Sequence, residues 1–121
     1  MLSQGAIGIS MQAEDGSPGC VRLSVQGGFR HADRGAFIAA VDRAVQLGCT
    51  KVLLDLRNVH FVDSVALGIL AMTYHQLKRR KVEFGLLKPS ESVLRLLTIS
   101  GIPNIIPIYR NESDALSPDA L

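Results

Sequence analysis

A chain of 121 residues, 47% hydrophobic and 20% charged, has room for one domain with one core and little else. Its formal charge of +2 is too weak to mark nucleic acid or an anionic membrane as partner, and the absence of Trp with only 5% aromatic residues argues against a base-stacking surface. The two cysteines, Cys20 and Cys49, stand apart with no CxxC spacing, so they read as reduced, buried thiols rather than a zinc or redox pair.

In chain order, AIGISMQ (6–12) alternates weakly as a half-buried strand would, and EDGSPG (14–19) is rich in turn formers. CVRLSVQG (20–27) alternates cleanly, with Val21, Leu23 and Val25 opposite Arg22, Ser24 and Gln26, which predicts a hairpin with one wet face. The period turns helical over 32–47, with Ala36, Phe37, Ala40, Val41, Ala44 and Val45 on one face and Gly48 as the stop. KVLLDL (51–56) is almost wholly apolar, as a central strand covered on both faces would be. A helix follows from Ser64 to Arg80, then a strand over 81–88. A third helix opens at Pro89-Ser90 and closes at Gly101, with Val93, Leu94, Leu96 and Leu97 as its apolar set. IIPIY (105–109) is a last strand, confined by Pro107 to an edge, and 111–116 is a final helical turn. The core is expected over about 6–116 of a single domain spanning 1–121, with the tail 117–121 frayed.

The order β-β-α-β-α-β-α-β-α predicts an α/β fold: an N-terminal hairpin, then crossover helices joining a mixed, mostly parallel sheet of about five strands with about four helices. No basic n-region followed by an apolar h-region opens the chain, and no apolar run approaches the ~20 residues of a membrane span. The expectation is a cytoplasmic protein without membrane insertion.

The helix from Ser64 carries the most information. At ~100° per residue, with Leu67 at the centre of the buried stripe, Leu70, Ala71, Tyr74 and Leu77 share its face. Val65, Ile69 and Met72 then lie near the opposite pole, flanked by Gly68, where a surface helix should carry Lys or Glu. Such a stripe marks a partner site if it faces water, or a helix buried all round if it does not. KRRK (78–81) reads as the solvated, cation-rich end of the helix. Asp63 and Ser64 at its head are both good N-caps, and an exposed serine there is also a good phosphoacceptor.

The strand KVLLDL, the segment RNVHFV and then DSVALG resemble the signature of STAS domains, and within that family the small stand-alone anti-sigma factor antagonists of bacterial partner-switching systems. Their motif reads D-S-[ST]-G-L-G after a strand ending in D-L or N-L. Asp55-Leu56 matches the strand end, and Asp63, Ser64, Leu67 and Gly68 match the motif. The resemblance implies the STAS fold over about residues 6 to 116 and a regulatory binding module. In the family the unmodified antagonist binds an anti-sigma factor that is itself a serine kinase of GHKL type. Phosphorylation of the serine releases it, and a PP2C-type phosphatase resets it. The resemblance thus makes Ser64 the phosphoacceptor, with Asp63, Asp55 and Arg30 as neighbours. The expected partner surface is the segment 59–64, through His60, Phe61 and Val62, together with Val65, Gly68, Ile69 and Met72.

Three positions depart from the family pattern. Val65 stands where a second hydroxyl is usual, Ala66 where glycine is usual, and Gly27-Gly28-Phe29-Arg30 where the family often has G-E-L-D. Arg30 either pairs with a phosphate on Ser64, alters the choice of partner, or is an ordinary surface arginine. Two other readings stay open: a constitutive subunit of a membrane transport assembly of the lipid-transport ABC type, and a partner switch with a non-sigma output.

His31, His60 and His75 lack ligand spacing, and there is no nucleophile elbow, P-loop or GxGxxG; Gly27-Gly28 reads as a turn only. Asp55 and Asp63 flank one segment but invite no acid–base pair without a pocket around them. No catalytic residues, metal or cofactor are expected, and the chain is expected to be a monomer or weak dimer.

Overall fold

The computed structural model describes residues 8–13 and 19–116. Residues 6 and 7, most of the predicted turn at 14–19, and the tail 117–121 lie outside them. Strands β1 (Gly8–Ala13), β2 (Cys20–Phe29), β3 (Lys51–Val62), β4 (Glu83–Leu87) and β5 (Ile108–Tyr109) form one sheet in the order β1-β2-β3-β4-β5. Among the described strands, β1 pairs antiparallel with β2, and the β2–β3, β3–β4 and β4–β5 pairs are parallel. Helices α1 (Arg34–Gln46), α2 (Ser64–Arg79) and α3 (Glu91–Ile99) are the crossovers, and α4 (Glu112–Leu116) follows β5. Short 3-10 turns at His31–Asp33 and Ile102–Asn104 precede α1 and β5. The mixed, mostly parallel architecture is the one its alternating periods predict.

Alternation along the strands builds two cores of unequal size. Val21, Leu23 and Val25 of β2, Val52, Leu54 and Leu56 of β3, and Phe84 and Leu86 of β4 pack with Phe37, Val41 and Ala44 of α1, with α2, and with Val93 and Leu97 of α3. On the other face Cys20, Leu53 and Leu87 pack against Ala115 of α4. KVLLDL is therefore covered on both faces. The face of β2 expected to be wet is partly taken: Arg22 bonds Glu112 of α4 at 2.8 Å, and Glu112 also pairs with Lys88 at 2.7 Å. These cations hold the Glu112 carboxyl below its ordinary range, Lys88 contributing most. Glu112→Gln is expected to loosen α4, so that Cys20 beneath it reacts faster with a thiol reagent. Peptide-level mass spectrometry of the labelled protein measures that rate, and an unchanged rate would show that apolar contacts alone hold α4.

The strands depart from the sequence reading where they lead to the site. β3 does not end at Leu56; RNVHFV continues it to Val62, and β2 runs on through Gly27-Gly28 to pair with it as far as Phe29. Two register shifts let β3 carry extra residues against β2, which spoils the alternation that would have revealed the strand. Gly27 sits at one shift with φ +91°, a conformation that favours glycine, so the glycine pair is an in-strand irregularity rather than a turn. At the other, the Asp55 carboxylate accepts the Arg57 N–H at 3.0 Å.

Candidate functional site

The end of β3 delivers the chain into α2 at Asp63. Four hydrogen bonds fix that residue. Its Oδ1 accepts the Ala66 N–H at 2.8 Å, and its Oδ2 accepts the His31 N–H at 3.0 Å. Its own N–H donates to the Phe29 carbonyl at 3.2 Å, and its carbonyl accepts from Leu67 at 3.1 Å. Asp63 is thus the N-cap of α2 and also the tie between that helix and the end of β2. The amides of Ala66 and then His31 hold its carboxyl below the ordinary carboxylate range.

A depressed carboxyl contributes stability above its unfolded value, near 3.8, and loses it as pH falls through the lower folded value. Asp63→Asn is therefore expected to melt below wild type at neutral pH, and the gap is expected to narrow as pH falls below the unfolded value and through the lower folded one. Thermal melts of the two proteins across that range measure it; a gap independent of pH would deny the carboxylate this role.

With Asp63 as cap, Ser64 is the first residue of α2 and is exposed. Ala66, in the family's glycine position, is fully buried, so its methyl joins the core instead of leaving a gap at the first turn. Val65 is 50% exposed and Met72 42%, and Gly68 between them is exposed. Ile69 is only 3% exposed, which corrects the expected stripe. The buried face centres on Ala66, Leu70, Thr73 and Leu77, about one residue or ~100° away from the face drawn through Leu67. On that corrected wheel Ile69 turns to the core edge, while Val65, Gly68 and Met72 stay outside.

The strand leading in divides the same way. His60 and Phe61 are exposed, Phe61 by 47%, but Val62 is buried and belongs to the core. Asp55 is a second correction: it is buried in mid-strand beside Arg57, separated from Asp63 by residues 56–62, and is no neighbour of Ser64. Arg30 is exposed, and its guanidinium lies over the Phe61 ring at 4.8 Å. A Cβ on Gly28 would come within 2.3 Å of that guanidinium, so the small residue makes room for the stack. The sequence reading missed Asp33, a buried carboxylate that accepts the Arg30 N–H at 2.9 Å and fixes the chain entering the turn. Its position three residues after Arg30, at a helix start, is a capping spacing that could have found it.

Among the described residues no three His, Cys, Asp or Glu side chains converge on a metal position, and no helix is long and apolar enough to cross a membrane. The site offers an exposed hydroxyl, a fixed carboxylate, a stacked cation and an apolar rim, which together suit recognition.

Comparison with known proteins agrees with this geometry. The STAS domain family profile matches residues 13–115. An anti-sigma F factor antagonist of Paenibacillus polymyxa is 35% identical over 98 residues, covering 80% of this chain and 82% of that protein. The structure of an anti-sigma factor antagonist from Mycobacterium paratuberculosis superposes with a TM-score of 0.79 at 27% identity, over 96% of each chain. SpoIIAA of Bacillus in its unphosphorylated form shares the fold, with a TM-score of 0.71 at 17% identity over 89% of this chain and 93% of that one. Matched over most of its length in sequence and fold, the chain belongs to the STAS domain family and is related to anti-sigma factor antagonists.

Proposed function

We propose that this protein is an anti-sigma factor antagonist whose unmodified form binds an anti-sigma factor with GHKL-type serine kinase activity. Phosphorylation of Ser64 by that kinase ends the contact, and a PP2C-type phosphatase restores it. The observation that carries the reading is the exposed Ser64 at the head of α2, bordered by the half-exposed Val65 and Met72, in a chain whose relatives are named antagonists. The docking surface would be His60, Phe61, Val65, Gly68 and Met72, with Arg30 over Phe61 supplying a positive rim.

The physics of the switch is local. A phosphate brings about −1.5 to −2 charges. At the first turn of α2, where Asp63 already takes the Ala66 amide, it meets the positive end of the helix dipole, so the fold tolerates it. The same charge beside Val65 must stay hydrated, which opposes a dry contact there. The side chain at position 65 carries no hydroxyl, which leaves Ser64 the single acceptor in the motif. Incubation of the protein with its cognate kinase and ATP is expected to add one phosphate by intact mass, and Ser64→Ala to add none. Phosphate on the Ser64→Ala form, or none on wild type, would remove Ser64 from the switch.

A further inference from the structure

The opposite end of β3 carries a second feature, independent of the switch. There a cleft of about 290 Å³ opens between α2 and the β4–β5 edge. It stays open because the β4–β5 ladder is short. Leu86 donates to the Pro107 carbonyl at 2.9 Å, and β5 pairs with Leu86 and Leu87 only. Proline has no N–H with which to carry the ladder on toward Glu83. Phe84 and Pro107 therefore line a cavity rather than a continuous sheet.

Its walls and rim are of two kinds. Tyr74 of α2 and Tyr109 of β5 both line it. Burial, and then the charge of Glu83, push the Tyr109 phenol up, so the ring is neutral at physiological pH. Lys51, Lys78 and Lys81 surround the opening against the single carboxylate of Glu83, a surplus of two positive charges. Lys51 is already held, by the Ala115 carbonyl and over the Tyr109 ring at 5.3 Å, with Glu83 at 3.9 Å. Lys78 lies over Tyr74 at 5.8 Å, and neither it nor Lys81 makes an ion pair among the described residues. The KRRK run is the exposed, cation-rich end of α2, and two of its lysines, Lys78 and Lys81, also line the cleft. Lys81 also has φ +61°, in the left-handed region where glycine is the usual choice just after a helix. The Lys81 N–H bonds the Lys78 carbonyl at 3.0 Å and the Val82 N–H the Leu77 carbonyl at 2.9 Å, which ends the helix there and sets Lys81 at the mouth of the cleft.

We propose that this cleft binds a small organic anion with a flat aromatic body, its ring against Tyr74 and Tyr109 and its charged group at Lys78 and Lys81. The volume sits at the low end of small-molecule sites and admits one ring with one anionic group. Aromatic faces and neutral phenols favour a ring over an aliphatic chain, and the unpaired ammonium groups favour an anion over a neutral molecule.

The composition supplies the reporter. The chain has no Trp and two Tyr, both in the cleft, so tyrosine fluorescence reads this site alone. Titration of the full chain with phenyl phosphate is expected to give a saturable fluorescence change, together with amide shifts at Phe84 and Val82 in a ¹⁵N spectrum. Glycerol phosphate, which lacks the ring, and benzyl alcohol, which lacks the charge, are each expected to bind about tenfold more weakly or worse. The Lys78→Ala/Lys81→Ala protein should lose about tenfold in phenyl phosphate affinity. Lys81→Gly should weaken binding while raising Tm, because it relieves the left-handed strain. No saturable signal, equal affinity for the three probes, or full affinity in the double variant would overturn the proposal.

Discussion

Ser64→Asp is expected to bind the cognate kinase at least about thirtyfold more weakly than wild type while keeping its fold. The Ser64 side chain is outside the core at the first position of α2, so a carboxylate there displaces no packing. The helix dipole mildly favours an acid at that position, so Tm should hold or rise slightly. The loss falls on the complex. A charge trapped unpaired in an interface costs about 2–5 kcal/mol, and the lower end of that range is already about thirtyfold. Isothermal titration of both proteins with the kinase, alongside thermal melts, separates the two effects. Wild-type affinity in the Ser64→Asp protein would reject a charge gate at this position.

Phe29→Ala carries the largest expected effect on the fold. Phe29 is fully buried at the end of β2, with its ring 5.1 Å from that of Phe37 on α1. Its carbonyl accepts the Asp63 N–H, so the residue that anchors β2 in the core also positions the head of α2. Removing the ring costs about 3–5 kcal/mol through lost burial and the cavity left behind. Total stability of such a domain is about 5–15 kcal/mol, so a large share is removed. Urea unfolding should show a much lower midpoint at a nearly unchanged slope. A midpoint within experimental error of wild type would mean that the core at the site end closes around the gap.

Much of the fold was legible because periods change where elements change. Val21, Leu23 and Val25 announced β2, and Phe37, Val41 and Ala44 announced α1, in each case because one face meets the core and the other does not. Legibility failed where both period and polarity were blurred. Arg57, Asn58 and His60 made the second half of β3 look like a loop, and the register shifts against β2 broke the alternation that would have corrected the impression. That error moved Asp55 to the site on paper, when it is held within the strand by Arg57.

The α2 wheel failed for another reason. With Val65, Ala66, Leu67, Ile69, Leu70, Ala71 and Met72 nearly consecutive, several phases fit almost equally well. Packing settled the phase through Ala66 and Thr73, small or polar residues that a hydrophobicity count undervalues. The motif residues Asp63 and Ser64 were visible in sequence. Their division of labour was not: a cap and a free hydroxyl differ only in where the backbone amides of Ala66 and His31 point.

The partner is expected to dock across the head of α2 and the end of β3. Amide hydrogen exchange of the protein alone and in complex with its cognate kinase maps that contact. Added protection is expected over residues 59–72, lost when Ser64 carries phosphate. Protection confined to β1 and α1, or to α4, with residues 59–72 exchanging as in the free protein, would contradict it.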